Sequence, residues 1–169
     1  MNQVLQHASL QTDCDPVSSR LLELGIVLPP APKPIANFIT ARLIDNMLYL
    51  SGQGPRHANG LLERGKVGQD VSVEQAYQHA RLTALNLLAV AKDKLGNLDR
   101  VRYVVKLLGL VNAVPDFEDH PRVINGCSDL FVEIFGEEIG RGARSAMGMG
   151  SLPDNQTVEI EAIFAVHPA

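Results

Sequence analysis

The sequence has only two cysteines, few aromatic residues and no long apolar run, and each shortage removes a class of protein. Cys14 and Cys127 lie far apart, one in a polar stretch and one in an apolar periodic segment, so neither a disulfide framework nor a zinc knuckle is expected. Aromatics make up 5% of the 169 residues, and no apolar stretch reaches the roughly 20 residues that span a bilayer. Positive charge is not in excess: 15 Lys and Arg against 19 Asp and Glu give a net charge of −4. That balance and the lack of a stacking platform argue against nucleic acid as a partner. His7, His57, His79, His120 and His167 never recur at ligand spacing, so no metal is expected. Residues 1–16 show neither a basic start nor an apolar run, which makes the cytoplasm the expected compartment and a membrane no partner.

What is present fits one well-cored domain with a tail: 46% hydrophobic residues, 14 Gly and 10 Pro. Residues 1–15 are polar and aperiodic. Pro16 opens a short amphipathic pattern through Val17, Leu21, Leu22 and Leu24 that stops at Gly25, and Pro29, Pro30, Pro32 and Pro34 then form an extended strap. Residues 1–34 therefore read as tail, short helix and strap, with the main domain over 35–169. In it, residues 38–51 predict two strands joined at Asp45-Asn46, and the glycine-rich, aperiodic 52–71 predicts a long connection. Ser72 and Gln75 form a capping box ahead of Ala76, Ala80, Ala84, Leu87 and Ala91, which predicts a helix over 73–95. Residues 101–112 are apolar on both faces, as in a strand covered on both sides.

A second helix is expected from near Pro121 through Val123, Cys127, Leu130, Phe131 and Ile134 to just before Gly136. The end reads as a hairpin of 144–151 and 157–166 around Pro153-Asp154-Asn155. The fold class is α+β, with two long helices sharing one face of a mixed sheet and a partner subunit needed for the other face.

Two places could carry chemistry. Alternation in the last strand puts Val158, Ile160, Ala162, Phe164 and Val166 on one face and Glu159, Glu161, Ile163 and Ala165 on the other. If that second face is covered, a glutamate there is desolvated toward a proton-transfer range; if it lies at a solvated sheet end, it is not. Arg144 precedes small residues on its own face, Ala146, Gly148 and Gly150, so it could clamp a carboxylate against open backbone or pair with Glu137 or Glu138. Other signals are weaker. Gly60 to Lys66 imitates the start of a phosphate loop, but Val67 stands where Ser or Thr is required. His79 reads as a helix-surface residue and Cys127 as packing.

Leu50-Ser51-Gly52-Gln53, the capped alanine helix, Asn125, Ala143-Arg144-Ser145 and Val158-Glu159-Ile160-Glu161-Ala162 occur in one order over residues 35–166. That ordered set resembles the RidA/YjgF family, and the leading helix, proline strap and GLLERGKVG connection resemble a longer subgroup of it. The resemblance implies a chorismate-mutase-like fold assembled as a homotrimer, with ligand clefts between subunits that cover the second sheet face. It also implies hydrolysis of reactive enamines and imines to 2-keto acids and ammonia, with no metal or organic cofactor. Arg144 matches the arginine that holds the substrate carboxylate, and Glu159 matches the glutamate that positions or activates water. Asn125 and Gly52 match positions lining the cleft. Phe38 stands where better-known members carry a tyrosine, Ala146 where many carry a cysteine, and Gly142 where a proline precedes Ala-Arg-Ser. The other readings are a non-catalytic module for a small carboxylate and, against the charge balance, an endoribonuclease.

Overall fold

The computed structural model describes residues 15–168, so the tail before Asp15, with His7 and Cys14, lies outside the described residues. The elements follow as α1 (Pro16–Glu23), β1 (Ala41–Ile44), β2 (Met47–Gln53), α2 (Val73–Leu95), β3 (Val101–Asn112), α3 (His120–Gly140), β4 (Ala143–Met149) and β5 (Val158–Val166). The strands form one mixed sheet in the order β1-β2-β5-β3-β4, in which only β3 and β4 run parallel.

α2 starts where the capping box predicts. Ser72 Oγ accepts from the Gln75 N–H at 3.2 Å, Gln75 Oε1 accepts from the Ser72 N–H at 2.9 Å, and Gly96 ends the helix at φ 79°. Its alanine stripe is fully buried, so α2 lies close against the sheet beside α3. Between helices and sheet, Phe131 and Phe164 meet edge to face with ring centroids 5.6 Å apart. Each buried side chain of that size contributes about 1.5–3 kcal/mol relative to exposure. The helices cover only one face. On the other, Tyr49, Tyr103, Val105 and Met147 are exposed, although β3 is apolar enough for cover on both sides.

Three expectations need correction. Residues 144–151 and 157–166 are not a hairpin: β3 lies between β4 and β5 and pairs with both. α3 is the crossover that delivers β4 parallel to β3, and the turn at Pro153–Asn155 returns the chain across β3. The first strand begins at Ala41 rather than at residue 38, and Phe38 lies outside the sheet. Gly136 does break α3, at φ 81°, but the chain resumes a turn to Gly140, which folds back so closely on the Phe131 and Val132 backbone that a Cβ at Gly140 would collide with it.

The segment before the main sheet is anchored. The Val17 N–H donates to Asp99 Oδ1 at 2.9 Å, and Arg20 Nε donates to the Glu133 carbonyl at 2.9 Å. The connection after β2 is pinned as well. Leu62, Val67 and Val71 are buried, and Lys66 Nζ donates to Asn112 Oδ1 at 2.9 Å and to the Gly150 carbonyl at 2.8 Å. No helix among the described residues is long and apolar enough to cross a membrane.

Candidate functional site

The sequence-predicted residues fall into two groups. Arg144, the second residue of β4, lies beside Leu107 of β3, a core residue, so its side chain lies on the helix-covered face. There its guanidinium donates to Asn125 Oδ1 at 2.8 Å and to Ser128 Oγ at 3.0 Å, both on α3. Neither acceptor is charged. Glu137 pairs instead with Arg141 at 2.7 Å, so the alternative pairing of Arg144 with that carboxylate is not what forms. A cavity of about 410 Å³ opens in front of Arg144, lined also by Asn125, Ser128 and Gly142. Ala146 sits two residues further on the same face, paired with Gly109.

Glu159 occupies the other sheet face, beside Leu110 of β3. It borders a cleft of about 290 Å³ with Phe38, Gly52, Gly54, Arg56 and Gln156, one wall of which is the proline strap at Pro32 and Lys33. Gly52 is glycine for a visible reason: a Cβ there would stand 2.9 Å from Glu159 Cδ and closer still to Oε1. The Glu159 carboxyl is half-buried, and that desolvation raises its pKa above the ordinary carboxylate value. The nearby Glu161 charge pushes the same way, and a hydrogen bond from Gln156 Nε2 to Oε2, at 2.6 Å, opposes both.

Within one chain, then, Arg144 and Asn125 come together, and so do Phe38, Gly52 and Glu159, but the sheet separates the two groups. A guanidinium lies on one side and a carboxylate of raised pKa on the other. The open face also carries a depression of about 440 Å³ lined by Tyr49, Leu108 and Ile163 together with Arg42, Lys106 and Glu161.

Sequence reasoning missed Ser128 and Gln156. Ser128 follows Asn125 at helical spacing, which places both on one face of α3 and was a readable signal. Gln156 lies in a turn, where no periodicity points to it. His79 also differs from expectation. It is half-buried rather than on the surface, because the connection after β2 folds over α2; its Nδ1 lies 3.0 Å from Thr157 Oγ1 and its Nε2 3.6 Å from Glu63 Oε2. Burial lowers its pKa, and Glu63, which also meets His57 at 2.7 Å, acts in the opposite direction. Thr157 is fully buried, so the arrangement fastens the connection and offers no accessible nucleophile. Cys127 is fully buried, and desolvation raises its thiol far above the usual range.

Comparison with known proteins agrees with this architecture. Residues 18–165 match the family described as "YjgF/chorismate_mutase-like, putative endoribonuclease". The chain is 40% identical over 151 residues to Protein TCP17 of Trypanosoma cruzi, covering 89% of this chain and 94% of that one. It is 26% identical over 142 residues to a 2-iminobutanoate/2-iminopropanoate deaminase of Dermatophagoides farinae, covering 83% and 94%. The crystal structure of Atu1372 from Agrobacterium tumefaciens, a protein of unknown function, superposes with a TM-score of 0.83 at 44% identity, covering 91% of this chain and 94% of that one. With a matched family model over most of its length and the α+β sheet that model describes, the chain belongs to the YjgF/RidA family and has its chorismate-mutase-like fold.

Proposed function

We propose that the protein hydrolyses 2-imino acids to 2-keto acids and ammonia in clefts between the subunits of a homotrimer. One observation carries the reading: Arg144, held by two neutral acceptors, and Glu159, with its pKa raised, lie on opposite faces of one sheet. Each group is half of a site for a carboxylate-bearing electrophile, and a second copy is what completes it. The exposed apolar face of the sheet supplies a surface for that copy, and a relative named as an imine deaminase supports the chemistry.

In this reading Arg144 of one subunit binds the substrate carboxylate through two parallel hydrogen bonds, with Asn125 and Ser128 fixing the guanidinium. Glu159 of the neighbour, ionised, accepts a proton from water as the water oxygen bonds to C2. The C2–N π pair takes that proton from Glu159, giving an amine on a tetrahedral carbon and leaving Glu159 ionised again. A further proton transfer through Glu159 then moves the hydroxyl proton to nitrogen, the C–N bond breaks, and ammonia leaves behind the 2-keto acid. The conjugated imine is already electrophilic, so holding and proton transfer are the whole task.

A second reading is a carboxylate-binding module without turnover, favoured by Phe38 and Ala146, which provide neither a hydroxyl nor a thiol to a ligand. The test is a coupled assay in which an amino-acid oxidase generates imino acids and their loss is followed with wild-type, Arg144→Ala and Glu159→Ala protein. Acceleration by wild type that both variants lose is the expected result. Undiminished turnover in Arg144→Ala overturns the deaminase reading, and 2-keto acid binding without turnover in wild type replaces it with the second.

A further inference from the structure

We propose that Gln156 is a positioning residue for Glu159, its side-chain amide holding the carboxylate in the orientation from which it addresses water. This rests on the deaminase reading for its purpose, but not for its geometry. Gln156 is 8% exposed, and its Nε2 donates to Glu159 Oε2 at 2.6 Å. Its amide lies over Gly54: a Cβ there would stand 2.9 Å from Gln156 Cδ and collide outright with Oε1. The end of β2 and the residue just after it thus leave two gaps on the cleft side, Gly52 filled by the Glu159 carboxylate and Gly54 by the amide that orients it. Asn86 Nδ2 fixes the backbone at this spot by donating to the Gly54 carbonyl at 3.1 Å and the Arg56 carbonyl at 2.8 Å.

The backbone that presents Gln156 is over-determined. Asp154 and Asn155 adopt left-handed conformations, at φ 54° and 56°, which Asp and Asn tolerate best among residues with a Cβ. The turn keeps them because the Asn155 carbonyl accepts from the Gly65 N–H at 2.9 Å and Asn155 Oδ1 accepts from Nδ2 of buried Asn112 at 2.9 Å. A turn held in place by polar partners, one of them buried, immediately before a residue that orients a carboxylate is what positioning demands. The charges around Glu159 are Glu161 on its own strand, Asp154 in the turn, Lys33 on the strap and Arg56 after β2. None of them makes a hydrogen bond to the Glu159 carboxylate, whose side-chain donor among the described residues is the neutral Gln156 amide.

Glu159 ionisation is followed by NMR in protein carrying 13C-labelled glutamate, the signal being assigned by its loss in Glu159→Gln. Wild type is compared with Gln156→Met, which keeps the volume and removes the donor, and with Gly54→Ala, which displaces the amide. Both variants are expected to titrate at higher pH than wild type, since each withdraws a hydrogen bond from the ionised form. In the coupled assay the acid limb of the kcat profile moves upward by the same amount with KM little changed. An unchanged Glu159 titration in Gln156→Met overturns the proposal whatever the activity. Absence of imine hydrolysis in wild type overturns the deaminase reading instead, and the titration still decides whether Gln156 governs Glu159.

Discussion

Alanine at position 52 should silence the site without unfolding the protein. Gly52 lies in β2 with no left-handed backbone angle, so alanine is conformationally allowed there and the whole effect passes through one contact. The new Cβ would lie 2.9 Å from both Glu159 Cγ and Cδ, and nearer still to Oε1, whereas ordinary contact begins at 3.4 Å. The side-chain carbons must therefore retreat by about 0.5 Å and the oxygen by more, toward the solvent side of the cleft. That movement also pulls Oε2 away from the Gln156 amide, where the hydrogen bond is 2.6 Å long. A displacement of about 1 Å in a reacting group costs on the order of 10²-fold in rate. Stability should fall far less, by about 1 kcal/mol, because Glu159 is only half-buried and can swing outward. The measurement is kcat and KM of Gly52→Ala for imino acids in the oxidase-coupled assay, beside a thermal melt. A variant that melts within a few degrees of wild type yet keeps full kcat would refute the assignment of Glu159 to the reacting centre.

Other positions test the scaffold. Gly126→Ala places a Cβ 2.9 Å from the Tyr77 carbonyl carbon and 3.1 Å from the Arg81 nitrogen, both backbone atoms, so α2 and α3 must part. The expected cost is about 1–3 kcal/mol by chemical denaturation, more than alanine's helix propensity returns, and a stabilised variant would contradict the close approach. Phe131→Ala removes a fully buried ring between α3 and Phe164 and should cost about 3–5 kcal/mol in the same measurement. The Arg81 guanidinium, 2.6 Å from Glu133, holds that carboxyl below its ordinary value. A depressed carboxylate adds stability that is complete above the unfolded-state value and is lost as pH falls through the folded one. The pair is partly exposed, so Glu133→Gln should cost about 0.5–1 kcal/mol at neutral pH and nothing in acid, and an equal cost at both would rule out the ion pair as its source.

The elements written by local rules were legible. The capping box and buried alanine stripe of α2, the apolar run of β3 and the alternation of β5 are each set by residues a few positions apart. The pairing of the last two strands was not, because sequence adjacency favours a hairpin and nothing in 144–166 announces that β3 will be inserted between them. The insertion depends on α3 acting as a right-length crossover from β3, which is a property of the whole fold. His79 was misplaced for a similar reason: its surroundings are supplied by Glu63 and Thr157, sixteen residues before it and seventy-eight after.

That inserted strand also decides the site. Placed in a hairpin, Arg144 and Glu159 would be neighbours whose separation depended only on register. With β3 between them, Leu107 aligns with Arg144 and Leu110 with Glu159, three residues apart along β3 and therefore on opposite faces. The guanidinium and the carboxylate thus start from opposite faces, with β3 between the strands that carry them. If both act on one substrate, the second must come from another copy, and the exposed apolar face beside Glu159 is where such a copy would seat. In the proposed assembly, activity should then follow association: subunits carrying Arg144→Ala mixed with subunits carrying Glu159→Ala would regain turnover, since some clefts would pair an intact Arg144 with an intact Glu159. Mixed trimers, verified by mass and still inactive, would end the shared-cleft mechanism.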